Sequence, residues 1–255
     1  MKHGYHFDAE KAISNIKDWL IEWEKDNAQG KTFVVGLSGG KDSLITMVLL
    51  CETFGKDRVL AVGMPDGMQG LNEADEQAKH YGVKFIVAPI TKLTEAMNSI
   101  FAENETEWGI SLSGRAQQNI PPRARMMMLY AISQSINGRV SNNCNLSENL
   151  MGYFTIFGDN AGDFSILENL TVTEVLAIGD ALGIPEKWVH KKPSDGLPGN
   201  DGKGDEDVFG FSYEILDKWI STNDQIDPEI RKKIEARANA NAFKRRPMAA
   251  YMPEE

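Results

Sequence analysis

The sequence predicts an α/β fold: a parallel sheet with helices on both faces. Three observations predict it. Short apolar runs at Phe33–Leu37, Val59–Gly63 and Lys84–Ala88 have the length and continuous hydrophobicity of strands buried on both sides. Segments of helical periodicity separate them at the interval of βαβ units. The first run ends in a glycine turn, Ser38-Gly39-Gly40-Lys41-Asp42-Ser43, that leads straight into the apolar helix Leu44–Leu50.

The elements follow in order. Asp8 to Glu24 reads as a helix, with Phe7, Ile13, Ile16, Trp19, Leu20 and Trp23 at helical spacing and Asp8 as N-cap. Strand one (Thr32–Leu37) precedes the glycine turn and a helix to about Phe54. Strand two ends at Met64-Pro65-Asp66-Gly67, and Asn72–Tyr81 is a helix closed by Gly82. Strand three stops before Pro89, and Thr91–Glu107 continues as helix. The polar stretch Trp108–Gln118 reads as a loop. Pro121-Pro122 then open a helix from Arg123 to about Asn137, since proline fits a first turn. Arg123 and Arg125 in that turn oppose the helix dipole unless an anion lies near.

Gly138–Cys144 is the fourth strand, short and polar, and runs into the turn Asn145-Leu146-Ser147-Glu148. Gly158–Asp163 is a loop carrying two carboxylates. Thr171 and Glu174 have the spacing of a capping box at the start of a helix to Leu182. His190–Asp207 is rich in glycine, proline, lysine and aspartate, so it buries little and is expected to act as a mobile lid. Phe209–Ile220 and Pro228–Asn241 read as helices. Residues 1–255 read as a single domain.

Composition narrows the classes. The 255 residues suffice for one large α/β domain. A net charge of −10 argues against a nucleic-acid partner, which calls for a basic surface. The two cysteines, Cys51 and Cys144, lack metal-ligand spacing and read as buried thiols of a reducing compartment. No run is apolar enough for a membrane span and the N-terminus lacks a signal peptide's apolar core, so the expected location is the cytoplasm.

The glycine turn carries the chemistry. Adjacent glycines let backbone approach an anion, and the first N–H groups of the following helix point at it. The spacing is not that of the Walker loop. Asp42, a carboxylate beside a phosphate site, makes sense with a divalent cation between the two. Lys41 reads as a solvated lysine.

Ser-Gly-Gly-Lys-Asp-Ser resembles the pyrophosphate loop of the N-type ATP pyrophosphatases, which cleave ATP between the α and β phosphates. Several later segments are similar, in order, to the motifs of the NAD synthetase family. They are Arg123-Ala124-Arg125-Met126, Asn145-Leu146-Ser147-Glu148, Gly152-Tyr153-Phe154-Thr155, Gly158-Asp159, Lys192-Pro193-Ser194, Asp205-Glu206 and Lys244-Arg245-Arg246-Pro247. The resemblance implies an adenine nucleotide α hydrolase-like, Rossmann-like sheet. It also implies a reaction: ATP adenylylates the nicotinate carboxylate of deamido-NAD, pyrophosphate leaves, and ammonia displaces AMP to give NAD. With no room for a glutaminase domain before residue 32, the chain resembles the ammonia-using form. The family further implies a homodimer, with Met126–Tyr130 a candidate interface element.

The resemblance carries roles to individual positions. Asp42 and Glu148 hold Mg2+ and, with Asp159, are catalytic. Gly36, Ser38, Gly39, Gly40, Asp42, Ser43, Arg123, Thr155, Lys192 and Ser194 bind ATP. Asn119, Asp159, Asp163, Lys244 and Arg245 bind deamido-NAD. Two departures stand out. Val172, in Leu170-Thr171-Val172-Thr173, replaces a family lysine that reaches phosphate, leaving that task to Lys41, Lys191 or Lys192. Pro121-Pro122 precede the arginines where helix-compatible residues are usual. The alternatives are another N-type pyrophosphatase, of the GMP synthetase or tRNA-thiolase kind, and a nucleotide-binding protein that has lost catalysis.

Overall fold

The computed structural model describes residues 6–67, 70–191, 205–222 and 226–252. Five strands form one all-parallel sheet in the order β3-β2-β1-β4-β5. They are β1 (Phe33–Gly36), β2 (Val59–Gly63), β3 (Lys84–Val87), β4 (Arg139–Asn142) and β5 (Phe164–Ser165). The helices are α1 (Ala9–Asn27), α2 (Lys41–Phe54), α3 (Asn72–Tyr81), α4 (Thr91–Trp108), α5 (Gly114–Ser135), α6 (Leu146–Met151), α7 (Val172–Ala181), α8 (Glu186–Val189), α9 (Asp205–Phe209), α10 (Tyr213–Thr222) and α11 (Pro228–Ala240).

The central strands β1 and β2 are buried on both faces, and their alternating side chains feed two cores, while the edge strand β3 leaves Lys84 and Val87 exposed. Phe33, Val35, Val59 and Ala61 point into one, shared with α1, α2, α7 and α8. Val34, Leu60 and Val62 point into the other, with Met64, Ile90 and Ala124. A third cluster, built by Met151, Val172, Phe209, Tyr213, Leu216 and Ile234, ties α6 and α7 to the C-terminal helices.

The chain builds β1, β2 and β3 outward, then crosses back to lay β4 on the other side of β1. The crevice between the carboxyl ends of β1 and β4 is therefore the switch point, where ligands of such sheets bind. The glycine turn leaves β1 there, and the Asn145–Glu148 turn leaves β4 there.

Two expectations are corrected. Helix α5 begins at Gly114, and Pro121 and Pro122 lie inside it. The Ser113 hydroxyl caps it by accepting the Ala116 N–H at 3.2 Å, so residues read as a loop form its first turns. The stretch from Phe209 is broken at Gly210, whose φ is +75°, and α10 starts afresh at Tyr213. Strand β5 is only two residues long, too short to leave a periodic signal. Among the described residues no helix is long and apolar enough to cross a membrane. Most of the lid expected over about 190–207 lies outside the described residues.

Candidate active site

The loop fixes its own shape. Gly39 has φ +86°, and a Cβ there would come within 3.1 Å of Glu73 Cβ, so glycine is required twice over. The Ser38 N–H donates to Ser43 Oγ at 3.3 Å, the Gly40 N–H to Ser38 Oγ at 3.2 Å, and Ser43 Oγ to the Gly40 carbonyl at 3.1 Å. Gln77 Nε2, from α3, donates to the Gly39 carbonyl at 3.0 Å. Gly36 ends β1 against Leu129 and Met64. Gly40 is the N-cap of α2 and has no side chain to cap it, so the helix N-terminus offers its N–H groups to an anion.

The end of β4 is tied to this loop by asparagines. Asn143 Nδ2 donates to the Gly36 carbonyl at 3.3 Å, and Asn145 Nδ2 to Asp42 Oδ1 at 3.3 Å. Asn145 and Glu148 form a capping box on α6: the Glu148 N–H donates to Asn145 Oδ1 at 3.0 Å, and the Asn145 N–H to Glu148 Oε2 at 3.2 Å. One fully buried asparagine thus places the carboxylates of Asp42 and Glu148 in the same crevice, although 106 positions separate them in sequence. Burial, reinforced by the Asp42 carboxylate, pushes the Glu148 carboxyl up to about 8.

Lys41 corrects the expectation of a solvated side chain. It is 11 % exposed, and its ammonium donates to Asp42 Oδ2 at 2.8 Å. Burial disfavours its charge, but Asp42 and then Glu148 outweigh burial and raise its pKa.

A second group of residues gathers around Asp159. The Thr155 N–H donates to Asp159 Oδ1 at 2.7 Å, and Thr155 Oγ1 to Asn119 Oδ1 at 2.9 Å. Lys244 Nζ donates to the carbonyls of Gly152 at 2.7 Å and Phe154 at 2.9 Å, and Arg123 Nε to that of Ile156 at 3.3 Å. Burial raises the Asp159 carboxyl and lowers the Lys244 ammonium, and each of the two charges offsets part of the other's shift. Buried Cys144 links the two groups. Its thiol donates to the Asp159 carbonyl at 3.4 Å, and burial, then Glu148, Asp159 and Asp42, lift it well above the ordinary range, which makes it inert.

The remaining expected site residues have the following partners. Asp163 accepts the Val140 N–H at 2.8 Å and the Tyr130 hydroxyl at 3.4 Å, so it braces β4. Arg245 donates to the Ala238 carbonyl at 3.0 Å, at the end of α11. Val172 packs in the third cluster, and its N–H donates to Ser147 Oγ at 3.1 Å. Lys191 pairs with Glu73, the residue that abuts Gly39. Lys192 and Ser194 lie outside the described residues. Asn145 is the placement that motif reading missed. Its signal was the capping-box spacing to Glu148, which marks a helix start but not a contact with Asp42.

Among the described residues no three metal-ligating side chains cluster together. Asp42 and Glu148 instead offer two carboxylates beside an anion-binding loop. That donor set fits Mg2+, which takes one or two carboxylates and completes its shell with phosphate oxygens and water.

The profile of the NAD synthase family matches residues 12–248. The NH(3)-dependent NAD(+) synthetase of Finegoldia magna is 34% identical over 241 residues, covering 91% of this chain and 95% of that protein. The solved NMN synthetase of Francisella tularensis superposes with a TM-score of 0.84 at 29% identity, over 98% of this chain and all of that one. The NH3-dependent NAD synthetase of Campylobacter jejuni superposes with a TM-score of 0.76 at 26% identity, over 98% and 99% of the two chains.

Proposed function

The chain belongs to the NAD synthase family, and we infer from that membership and from the crevice that it is a ligase joining ammonia to the nicotinate carboxylate of deamido-NAD, with ATP as co-substrate. The observation that carries the reading is the convergence of Asp42 and Glu148 on the anion-binding loop at the switch point.

The chemistry follows from the groups present. A carboxylate is a poor acyl donor because its oxygen leaves badly, so that oxygen must first be attached to AMP. Attack of one anion on another needs cationic and N–H donors around the phosphates. The loop N–H groups and the hydroxyls of Ser38 and Ser43 would hold the leaving pyrophosphate, and Arg123, bonded to the Ile156 carbonyl, would contact ATP. Asp42 and Glu148 would hold Mg2+, which would neutralise charge developing on the phosphates. Asp159 is proposed to take the proton released when ammonium becomes ammonia, since burial has raised its carboxyl. Ammonia then attacks the acyl carbon, AMP departs with the electron pair, and the added nitrogen gives its surplus proton to water as the amide forms. Lys244, above Phe154, and Asn119, on Thr155, are proposed to position the nicotinate nucleotide.

We propose further that the enzyme acts as a homodimer. Ile100 on α4 and Met127 on α5, with Met97 and Trp108, are large apolar side chains left exposed, a pattern suited to a second copy. A cytoplasmic location fits a reaction that consumes ATP. A turnover assay with deamido-NAD, ATP, Mg2+ and ammonium tests the activity. NAD and AMP are expected in equal amounts, and the absence of AMP would overturn the assignment.

One observation favours a second substrate. The Francisella NMN synthetase is the more similar of the two solved structures described. Nicotinate mononucleotide carries the same reacting carboxylate without the adenylate half. Comparison of kcat/KM for the two nucleotides decides between them: a ratio favouring the mononucleotide would make NMN the main product.

A further inference from the structure

Lys41 is the residue whose placement its surroundings do not call for. As the first residue of α2 it brings positive charge to a helix N-terminus, where the dipole disfavours it. Its ammonium is nonetheless buried, 2.8 Å from Asp42 Oδ2. Glu148, from α6, and Asp205, from α9, are the next carboxylates acting on it. Asp205 is buried and receives the Tyr213 hydroxyl at 2.8 Å. Asp42 thus touches an ammonium that comes from the loop itself, and the charges of Glu148 and Asp205, on two further helices, favour it. It engages the free edge of Asp42, since Asn145 takes the other oxygen at 3.3 Å. A divalent cation held by Asp42 and Glu148 would share the Asp42 carboxylate with that ammonium.

We propose that Lys41 is a tethered counter-ion for the carboxylate pair. In the nucleotide-free protein its ammonium stands in for the divalent cation. It yields that place when a nucleotide brings phosphates to the loop, and then turns to the phosphates. The physical reason is charge balance. Without phosphate, ammonium and divalent cation compete for the same carboxylate. With phosphate, the added negative charge holds both. Metal binding is thereby coupled to nucleotide binding, and neither carboxylate is left buried without a partner in between.

The inference rests on Asp42 and Glu148 as the metal pair, and the test separates the two ideas. Mn2+ is titrated against the full chain, with free ion followed by electron paramagnetic resonance, with and without α,β-methylene-ATP. Lys41→Met removes the charge; Lys41→Gln, which keeps a donor for Asp42, serves if the methionine variant does not fold. Without nucleotide, the variant is expected to bind Mn2+ about tenfold more tightly than the wild type, the scale of removing one nearby like charge from a partly buried site. With the analogue the order reverses, because the ammonium no longer helps hold the phosphates. Mn2+ affinity unchanged or weaker in the nucleotide-free variant would overturn the counter-ion role. Unchanged binding of the manganese–analogue complex would overturn the move to phosphate. Glu148→Gln reports separately: if it binds manganese with the analogue as tightly as wild type, the metal pair is wrong, whatever Lys41 does.

Discussion

Glu148 shows how one side chain can serve a helix and a site at once. It closes the capping box of α6, yet burial beside Asp42 raises its carboxyl from 4.5 to about 8. Between those values the native chain holds a proton that the unfolded chain has lost. Stability from this group therefore falls as pH rises from about 4.5 to about 8, and is level above that. Glu148→Gln removes the slope: urea midpoints of the variant, measured relative to wild type, should rise from about pH 5 to about pH 8. The glutamine keeps a carbonyl for the Asn145 N–H, so the fold persists, while turnover should drop by about a hundredfold or more, as expected when a charge is removed at a reacting site. Equal loss of fold and turnover would make Glu148 a structural residue only.

At the scale of elements, the site depends on helix starts held from outside. The N-terminus of α7 is held by Asp217 of α10, which accepts the Thr173 N–H and hydroxyl, each at 2.7 Å. The same carboxylate accepts Ser147 Oγ of α6 at 2.5 Å. Burial raises the Asp217 carboxyl, and the bonds from Ser147 and Thr173 oppose that rise. Asp217→Ala strands three donors, of which the Ser147 hydroxyl is fully buried, and should cost about 1–3 kcal/mol in chemical denaturation. Because α6 carries Glu148, ATP affinity should weaken as well; an unchanged midpoint would show that water replaces the carboxylate. The mid-helix prolines of α5 belong to this scale too. Each removes one backbone donor, but the helix is capped at Ser113 and its later half packs through Ala124 and Leu129, so it runs through them.

At the scale of the whole molecule, the sheet order creates the crevice, and the exposed apolar side chains of α4 and α5 are the proposed dimer face. A dimer through those helices predicts that Ile100→Asp combined with Met127→Asp yields a monomer in light scattering. Both side chains are exposed, so the chain itself should remain folded. Wild-type protein already monomeric at assay concentrations would remove the dimer from the mechanism.

Much of this was legible in the chain. The apolar runs give strands because only buried parallel strands are apolar on both faces, and the glycines of the loop announce an anion because only they allow such a close approach. Asp42 and Glu148 could be named from their motifs. Their meeting could not, because it depends on β4 returning to the far side of β1 and on Asn145 bridging the two. The start of α5 was hidden because prolines signal a helix start more strongly than a serine cap does. The sequence by itself determined four of the five strands, the glycine loop and the family; the tertiary structure alone decided the strand order, that Lys41 is buried against Asp42 and that Asp163 braces a strand. The reason is that a charged side chain's partner is set by which elements pack around it, and those lie far away along the chain.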